Sequence, residues 1–258
     1  MTSDALLIFA FGWLGLAVGS FLNVVIYRLP RGGSVVHPPS RCPNCQYQLR
    51  WYDNVPLLSW AFLRGRCRKC RTPISVRYPI VELLTMAVFM LHLWLFGWTA
   101  LMLVRLVFAC ALIALFAIDL EHHLLPNAIT LPGIVAGLVA NLFVPPGLKD
   151  AIIGTLLGGG VLWAIGEAYY RYAGQEGMGG GDVKMLAMVG AFLGWKLVLV
   201  TLVLSSIAGS LIGLLVIAIR RGGMKYALPY GTFLALGALA ASLAGDQLVA
   251  WYVGFYDF

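Results

Sequence analysis

The sequence predicts an all-α polytopic membrane protein with about eight transmembrane helices and a small cytoplasmic zinc-binding insertion. Of its 258 residues, 60% are apolar and only 11% are charged, whereas about a quarter of a soluble domain is charged. Long apolar segments recur along the chain, and one basic, cysteine-containing section interrupts them. We expect no cleavable signal peptide, because the first apolar run is long and no small-residue cleavage site follows it.

Eight apolar segments approach the length of about 20 helical residues that crosses the hydrocarbon layer. The first, Leu6–Ile26, carries Gly15 and Gly19 four residues apart, a spacing that lets helices pack closely. The sixth segment is shorter than the others. The remaining predicted spans are Ile80–Phe96, Ala100–Ile118, Ala128–Val144, Ala151–Tyr170, Val183–Trp195, Leu197–Ile219 and Leu228–Tyr252.

Positive charge is concentrated between the first two spans. Ten of the eighteen Lys and Arg residues lie from Arg28 to Arg77, which predicts a cytoplasmic section and an outside N-terminus. Counting crossings from there, the loops 119–127, 171–182 and 220–227 also face the cytoplasm. The last loop carries Arg220, Arg221 and Lys225, in agreement with the same bias. Topology and attraction to anionic lipid explain the net charge of +7, so no nucleic-acid partner is expected.

Four cysteines form the sharpest local motif. Cys42 and Cys45 make one CxxC pair and Cys67 and Cys70 a second, with 21 residues between the pairs. This spacing indicates a tetrahedral zinc site, and the alternative, disulfides, is disfavoured in a reducing cytoplasm. Four thiolate ligands leave no open position, so we expect a structural ion that stabilises the section. Cys110, inside the third span, is expected to be a buried, apolar-like residue.

Two carboxylates lie at span ends on the same predicted face. Asp119 follows the third span and Asp182 precedes the sixth, which suggests an aspartyl pair sharing one proton. The simpler alternatives are a first polar residue after a membrane helix and an N-cap. Glycines before Asp182, including Gly180 and Gly181, allow backbone to approach a ligand. Lys184 lies in a first helical turn, where a cation is disfavoured, and a nearby carboxylate would relieve this.

Two further polar residues carry structural expectations. Asn127, just before the fourth span, is typical of an N-cap. Arg105, inside the third span, is costly there and should face a partner such as Glu167 or a water-filled cavity.

Several motifs together carry a resemblance to a known family. They are Asp119 with Leu125-Pro126-Asn127, Gly179-Gly180-Gly181-Asp182-Val183-Lys184, the stretch Gly19–Pro30, the cysteine section, and Arg77–Leu84. Through them the chain resembles the type IV prepilin peptidases, membrane aspartic proteases of the GxGD type. Many of these proteins have Asp where this chain has Asn127, a position that is not catalytic.

The resemblance implies two activities in a bacterial inner membrane. The first cuts the basic leader from type IV prepilins or pseudopilins, substrates of pilus and type II secretion systems, on the cytoplasmic side. The second methylates the new terminal amine with S-adenosylmethionine. On this resemblance Asp119 and Asp182 form the catalytic pair. Lys184, Gly180 and Gly181 are candidate substrate contacts.

The expected organisation is a first transmembrane helix at 1–27, a zinc-binding, methyltransferase-associated section at 28–79, and an aspartic peptidase domain at 80–258. No strand–GxGxxG–helix pattern exists, so a Rossmann-type site for S-adenosylmethionine is excluded. Glu82, at the start of the second span, is either an interfacial charge or a group that grips the substrate amine.

Two other classes of function remain open from the residues alone. A transporter could use the aspartates as a proton or ion relay, but it would place carboxylates near the bilayer middle. A membrane scaffold could use its zinc module to bind a cytoplasmic partner.

Overall fold

The computed structural model describes residues 2–175, 178–220 and 229–255, which contain helices and no β-strand beyond two isolated bridges. Six helices are long and apolar enough to cross a membrane, which supports the predicted all-α membrane fold. The helices are α1 Thr2–Arg28, α2 Leu58–Phe62, α3 Arg77–Phe96, α4 Ala100–His122, α5 Asn127–Ala140, α6 Leu148–Ala173, α7 Gly180–Arg220 and α8 Tyr230–Val253.

The chain divides into two compact units, Met1–Met102 and Leu103–Phe258. In the first unit α1 lies directly against α3, since a Cβ on Gly19 would come within 2.7 Å of the Glu82 Cα. This explains the glycine spacing of the first span. Asn23 Nδ2 joins the same helices by donating to the Tyr78 carbonyl at 3.0 Å. The expected functional division at residue 80 stays a prediction, although these contacts group α3 with α1.

The core of the second unit is built around the first part of α7. The rings of Phe108 in α4 and Phe192 in α7 stack at 4.8 Å, inside one apolar cluster that also includes residues of α6 and α8. α6 crosses α7 closely, because a Cβ on Gly154 would lie 2.7 Å from the Gly190 carbonyl oxygen. This part of α7 is therefore surrounded by protein rather than by lipid.

α7 is broken at Gly194, whose φ of 75° and ψ of 173° are not helical. The positive φ favours glycine there. The break removes the helical partners of two preceding carbonyls, and Asn141 at the end of α5 replaces them. Its Nδ2 donates to the Ala191 carbonyl at 2.7 Å and to the Phe192 carbonyl at 3.3 Å. The two segments of α7 correspond to the predicted sixth and seventh spans.

The chain reverses direction at this break. Gly181, in the first segment, and Gly231, in α8, both lie against Leu125. Gly209, in the second segment, lies against Phe233, two residues beyond Gly231. Both ends of α7 are therefore at one end of the unit.

The other connections of the second unit meet at the same end. The start of α5 lies at this end, because Asn127 accepts a hydrogen bond from Lys184. The end of α6 lies there too, because Gly166 is next to Met178, just before α7. This agrees with the predicted crossing order of the loops 119–127 and 171–182. The predicted loop 220–227 lies, beyond Arg220, outside the described residues. Which side of the membrane this end faces stays a prediction.

Candidate functional site

Asp119 lies in the last turn of α4 and is 5% exposed. Its Oδ2 accepts two hydrogen bonds from Thr232 at the start of α8, from the amide at 2.7 Å and from Oγ1 at 3.0 Å. A Cβ on the preceding Gly231 would lie 2.9 Å from the same oxygen. The start of α8 therefore fixes the orientation of this carboxylate. The sequence did not predict roles for Thr232 and Gly231. It indicated that they lie near the start of a helix, but not that this helix packs beside the end of α4.

Asp182 is the third residue of α7 and not its N-cap, which corrects the simpler expectation. Its amide donates to the Gly179 carbonyl at 3.1 Å, and a Cβ on Gly179 would lie 3.3 Å from its Oδ2. The neighbouring Gly181 lies against Leu125, and so does Gly231, which packs against the Asp119 carboxylate. The structure thus places the two predicted acids at the same end of the unit, beside glycines that contact one leucine.

The neighbouring glycines have different surroundings. A Cβ on Gly181 would meet the Leu125 side chain at 3.0 Å, so close packing already explains this glycine. Gly180 has no neighbour within 4 Å of such a Cβ, so space is open beside it. Gly177, the first glycine of the run, lies outside the described residues.

Lys184, two residues after Asp182, contacts Asn127. Lys184 Nζ donates to Asn127 Oδ1 at 2.9 Å, so its hydrogen-bond partner is an amide oxygen. The expectation that Asn127 caps α5 is wrong, because Pro126 occupies the N-cap position and no side chain caps this helix. The contact joins the start of α5 to the start of α7.

Arg105 is buried and faces polar partners, as expected, but these lie in α8 rather than at Glu167. Its Nη1 donates to the Ser242 carbonyl at 2.6 Å, and its Nη2 lies 3.9 Å from Asp246 Oδ2. Glu167 instead accepts from Arg171 Nε at 2.8 Å. Arg105 therefore ties the beginning of α4 to the later part of α8, at the opposite end of these helices from Asp119.

In the first unit the four predicted zinc ligands converge. Their Sγ atoms all lie within 4.8 Å of one another, with Cys42 to Cys70 at 3.7 Å and Cys45 to Cys67 at 3.9 Å. Ligands about 2.3 Å from a tetrahedral zinc would be about 3.8 Å apart. The cluster fits this ion and is too widely spaced for disulfides. Cys110 lies apart from it, half-buried in α4.

The two CxxC pairs sit on repeated turns. In each, the amide of the first cysteine donates at 2.9 Å to the carbonyl five residues later. The residue after the second cysteine, Gln46 or Arg71, has a positive φ of 56° or 60°. An isolated β-bridge closes each turn, Arg41 with Gln48 and Arg66 with Pro73. The backbone of each CxxC turn therefore fixes the positions of its two cysteines.

Asp53 links these turns and was not predicted. Its carboxylate accepts from Arg68 Nε at 2.7 Å, from the Arg50 amide at 3.2 Å and from the Tyr47 hydroxyl at 3.3 Å. Burial by itself would raise the pKa of Asp53, but these donors and the charge of Arg68 hold it below its usual value. The available signal was that Asp53 is the only acid between residues 28 and 79.

Glu82 is 6% exposed, so it is not a solvated interfacial charge. Its Oε2 accepts from the Leu57 amide at 2.8 Å. The binding of a substrate amine by Glu82 stays a prediction.

Comparison with known proteins covers most of the chain. Residues 13–96 match the bacterial peptidase A24 N-terminal domain, and residues 106–214 match the type IV leader peptidase family. No solved structure matches significantly.

Three relatives described as prepilin leader peptidase/N-methyltransferase illustrate the similarity. The protein of Pseudomonas putida is 40% identical over 92% of this chain and 90% of its own length. That of Aeromonas hydrophila is 41% identical over 92% and 91%, and that of Pseudomonas aeruginosa 36% identical over 95% and 93%. By this similarity along nearly its whole length, the chain belongs to the prepilin leader peptidase/N-methyltransferase family of type IV leader peptidases.

Proposed function

We propose that this protein removes the leader peptide of type IV prepilins or pseudopilins and then methylates the new amino terminus. The names of relatives that span nearly the whole chain support both activities. The observation that carries the proteolytic assignment is that Asp119 and Asp182, 63 residues apart in sequence, both lie beside glycines that pack against Leu125. The positions of both acids near helix ends argue against a relay at the bilayer middle.

In the proposed cleavage the two carboxylates share one proton. The ionised group takes a proton from water, which attacks the scissile carbonyl, and the protonated group donates to the carbonyl oxygen and later to the leaving amine. Thr232 holds one oxygen of Asp119 with two donors, so that carboxylate is oriented before substrate arrives. Asp182 is held at its backbone, where its amide donates to the Gly179 carbonyl.

The open space at Gly180 gives the substrate backbone a route to the pair. Gly181 lets the start of α7 come close to Leu125 and so to Asp119. We assign Lys184 to the edge of this site, where its hydrogen bond to Asn127 keeps the ammonium in place. The substrate contacts of these three residues are part of the proposal.

For the methylation we assign the binding of the substrate amine to Glu82. Of the three acids in the first unit, Asp4 is near the N-terminus and Asp53 is held by Arg68. Glu82 is thus the remaining carboxylate that can attract a cation in a strongly basic unit. S-adenosylmethionine, when bound, supplies the methyl group. A zinc ion on the four cysteines holds the fold of the section between α1 and α3.

The proposed location is the bacterial inner membrane, with the N-terminus outside and the aspartates facing the cytoplasm. The six apolar helices and the family support a multi-pass membrane protein. The cluster of positive charge between α1 and α3 supports the orientation.

The test is cleavage of a purified prepilin by the full-length protein, with release of the leader followed by mass spectrometry. Asp119→Asn and Asp182→Asn should each lower the rate by about a thousandfold or more, because each removes an acid–base group. Asp246→Asn, which changes an exposed carboxylate at the other end of α8, is the matched control and should cleave normally. Substantial cleavage by either Asp119→Asn or Asp182→Asn would remove that residue from the mechanism.

A further inference from the structure

An apolar run interrupts the basic, zinc-binding section of the first unit. Residues 55–63, Val-Pro-Leu-Leu-Ser-Trp-Ala-Phe-Leu, contain a single polar side chain, Ser59. The run includes α2 and lies between the two cysteine turns in sequence. We propose that this segment lies at the boundary between the headgroups and the acyl chains of the bilayer, beside α1 and α3. It is then the part of the zinc-binding section that contacts the membrane. The inference does not depend on the proposed reaction.

The depth of the segment is set by its contact with α3. The Leu57 amide donates to Glu82 Oε2 at 2.8 Å. Glu82 is five residues beyond the start of α3, which is about 7.5 Å along the helix axis. Leu57 therefore does not lie above the start of α3 but beside the second turn of this helix.

The contact between α1 and α3 also places Glu82 well inside a helix end. Gly19 of α1 lies against the Glu82 backbone. It precedes the end of α1, at Arg28, by nine residues, or about 13 Å. Between these positions α1 contains mostly apolar residues, so the level of Glu82 is within the apolar part of this helix. A segment that touches Glu82 must therefore pass through the membrane boundary.

One side of α2 packs against protein, and the other side is exposed. The Trp60 ring lies against Gly65, and its Nε1 donates to the Ile74 carbonyl at 3.4 Å. This side of α2 therefore contacts residues on both flanks of the second cysteine turn. Phe62 is 85% exposed and Leu58 46% exposed. Removing such side chains from water is worth about 1.5–3 kcal/mol each when it is complete. An apolar medium beside α2 would supply that gain.

The charges beside the run favour lipid as the occupant of this face. Arg50 precedes it, and Arg64, Arg66, Lys69 and Arg71 follow it. The only acid of the section, Asp53, is bound to Arg68. Each basic side chain near an anionic leaflet contributes about 1 kcal/mol of attraction, whereas a basic leader peptide would be repelled. Apolar side chains next to basic ones thus match anionic lipid better than they match the leader.

The experiment uses the full-length protein with a photoreactive phenylalanine analogue in place of Phe62. The protein is placed in nanodiscs of mixed anionic and zwitterionic lipid, illuminated, and digested for mass spectrometry of lipid adducts. The same analogue at Val36, which is 72% exposed in the same section but outside the run, is the matched control. We expect several-fold more lipid adduct at position 62 than at position 36. Equal yields at the two positions, or none at 62, would overturn the proposal.

A second arm distinguishes lipid from the apolar helix of a substrate. Purified prepilin is added before illumination, and adducts to lipid and to prepilin are counted. Persistence of the lipid adduct supports the proposal, whereas its replacement by a prepilin adduct overturns it in favour of a substrate surface. If the substitution at position 62 prevents folding, seen as loss of bound zinc, the probe at Leu58 gives the same test.

Discussion

The two units of the chain differ in charge and in what holds them together. Residues 1–102 carry ten basic and three acidic side chains, whereas residues 103–258 carry eight of each. The whole net charge of +7 thus belongs to the first unit. Its polar section is organised by four thiols and Asp53, while the second unit is organised by helices in close contact. We conclude that the two units should respond to different perturbations, metal loss in one and steric change in the other.

The largest expected effect comes from the metal site. Cys67→Ser removes one of four ligands, and because structural zinc supplies about 10–16 kcal/mol of binding free energy in small domains, the section should lose both its ion and its fold. We expect less than one equivalent of zinc by elemental analysis and a severe loss of methylation, with cleavage less affected. Cys110→Ser, outside the cluster, should keep both. Equal loss of the two activities would contradict the separation of the units.

Glu82→Gln tests the proposed role of this carboxylate in methylation. The amide oxygen still accepts the Leu57 hydrogen bond, but the charge that attracts the substrate amine is lost. Methylation of a pre-cleaved pilin should fall by about a hundredfold, with prepilin cleavage and zinc content unchanged. Glu167→Gln, in the second unit, is the control. Unchanged methylation would leave Glu82 as a purely structural acceptor for Leu57.

Gly190→Ala tests the close crossing of α6 and α7. The added methyl group would meet the backbone of Gly154, and forcing these helices apart should cost about 1–3 kcal/mol. Thermal unfolding should occur at lower temperature, and cleavage should weaken while bound zinc stays constant. Gly160→Ala places the same methyl group in open space on α6 and should be neutral. Equal stability of the two variants would show that the crossing can adjust.

The smallest effect is expected for Asp53→Asn, which keeps an acceptor but loses the charge facing Arg68. Zinc should be released to a chelator somewhat faster than from the unchanged protein. Because the pKa of Asp53 lies below its usual value, its stabilising contribution is complete above the unfolded value of about 4. It is lost only as the pH falls through the lower, folded value. The difference in release rate should therefore be constant from about pH 8 to pH 6, and a difference that vanished in this range would contradict the assignment.

Features that depend on local sequence were predicted from the sequence. The apolar segments follow from hydropathy, and the cysteine cluster follows from ligand spacing. The position of Asp119 and Asp182 at the same end of the second unit followed from counting crossings, since successive helices return the chain to that end. These inferences need no knowledge of which helix faces which.

Partners that depend on helix neighbours could not be predicted. Thr232 meets Asp119 only because α8 docks beside the end of α4, and Arg105 reaches Ser242 rather than Glu167 for the same reason. Asn127 was expected to cap its own helix but accepts from Lys184 of α7. The apolar pattern of a span does not indicate which helix will pack against each of its sides. The hydrogen-bond partners of Asp119, Arg105 and Asn127 could therefore not be identified from the sequence.

Two neighbouring helices have reduced length, α5 and the first segment of α7, which ends at the break at Gly194. α5 has 14 residues, and the first segment of α7, from Gly180 to the break, has about the same number, which gives each a length of about 21 Å. The hydrocarbon layer is about 30 Å thick. The first segment of α7 is enclosed by protein, whereas Leu131 and Val135 of α5 are exposed. The hydrophobic mismatch must therefore be absorbed beside α5, by local thinning of the lipid or by recessed helix ends. Water can thus come closer to the middle of the bilayer beside α5 than beside the longer helices.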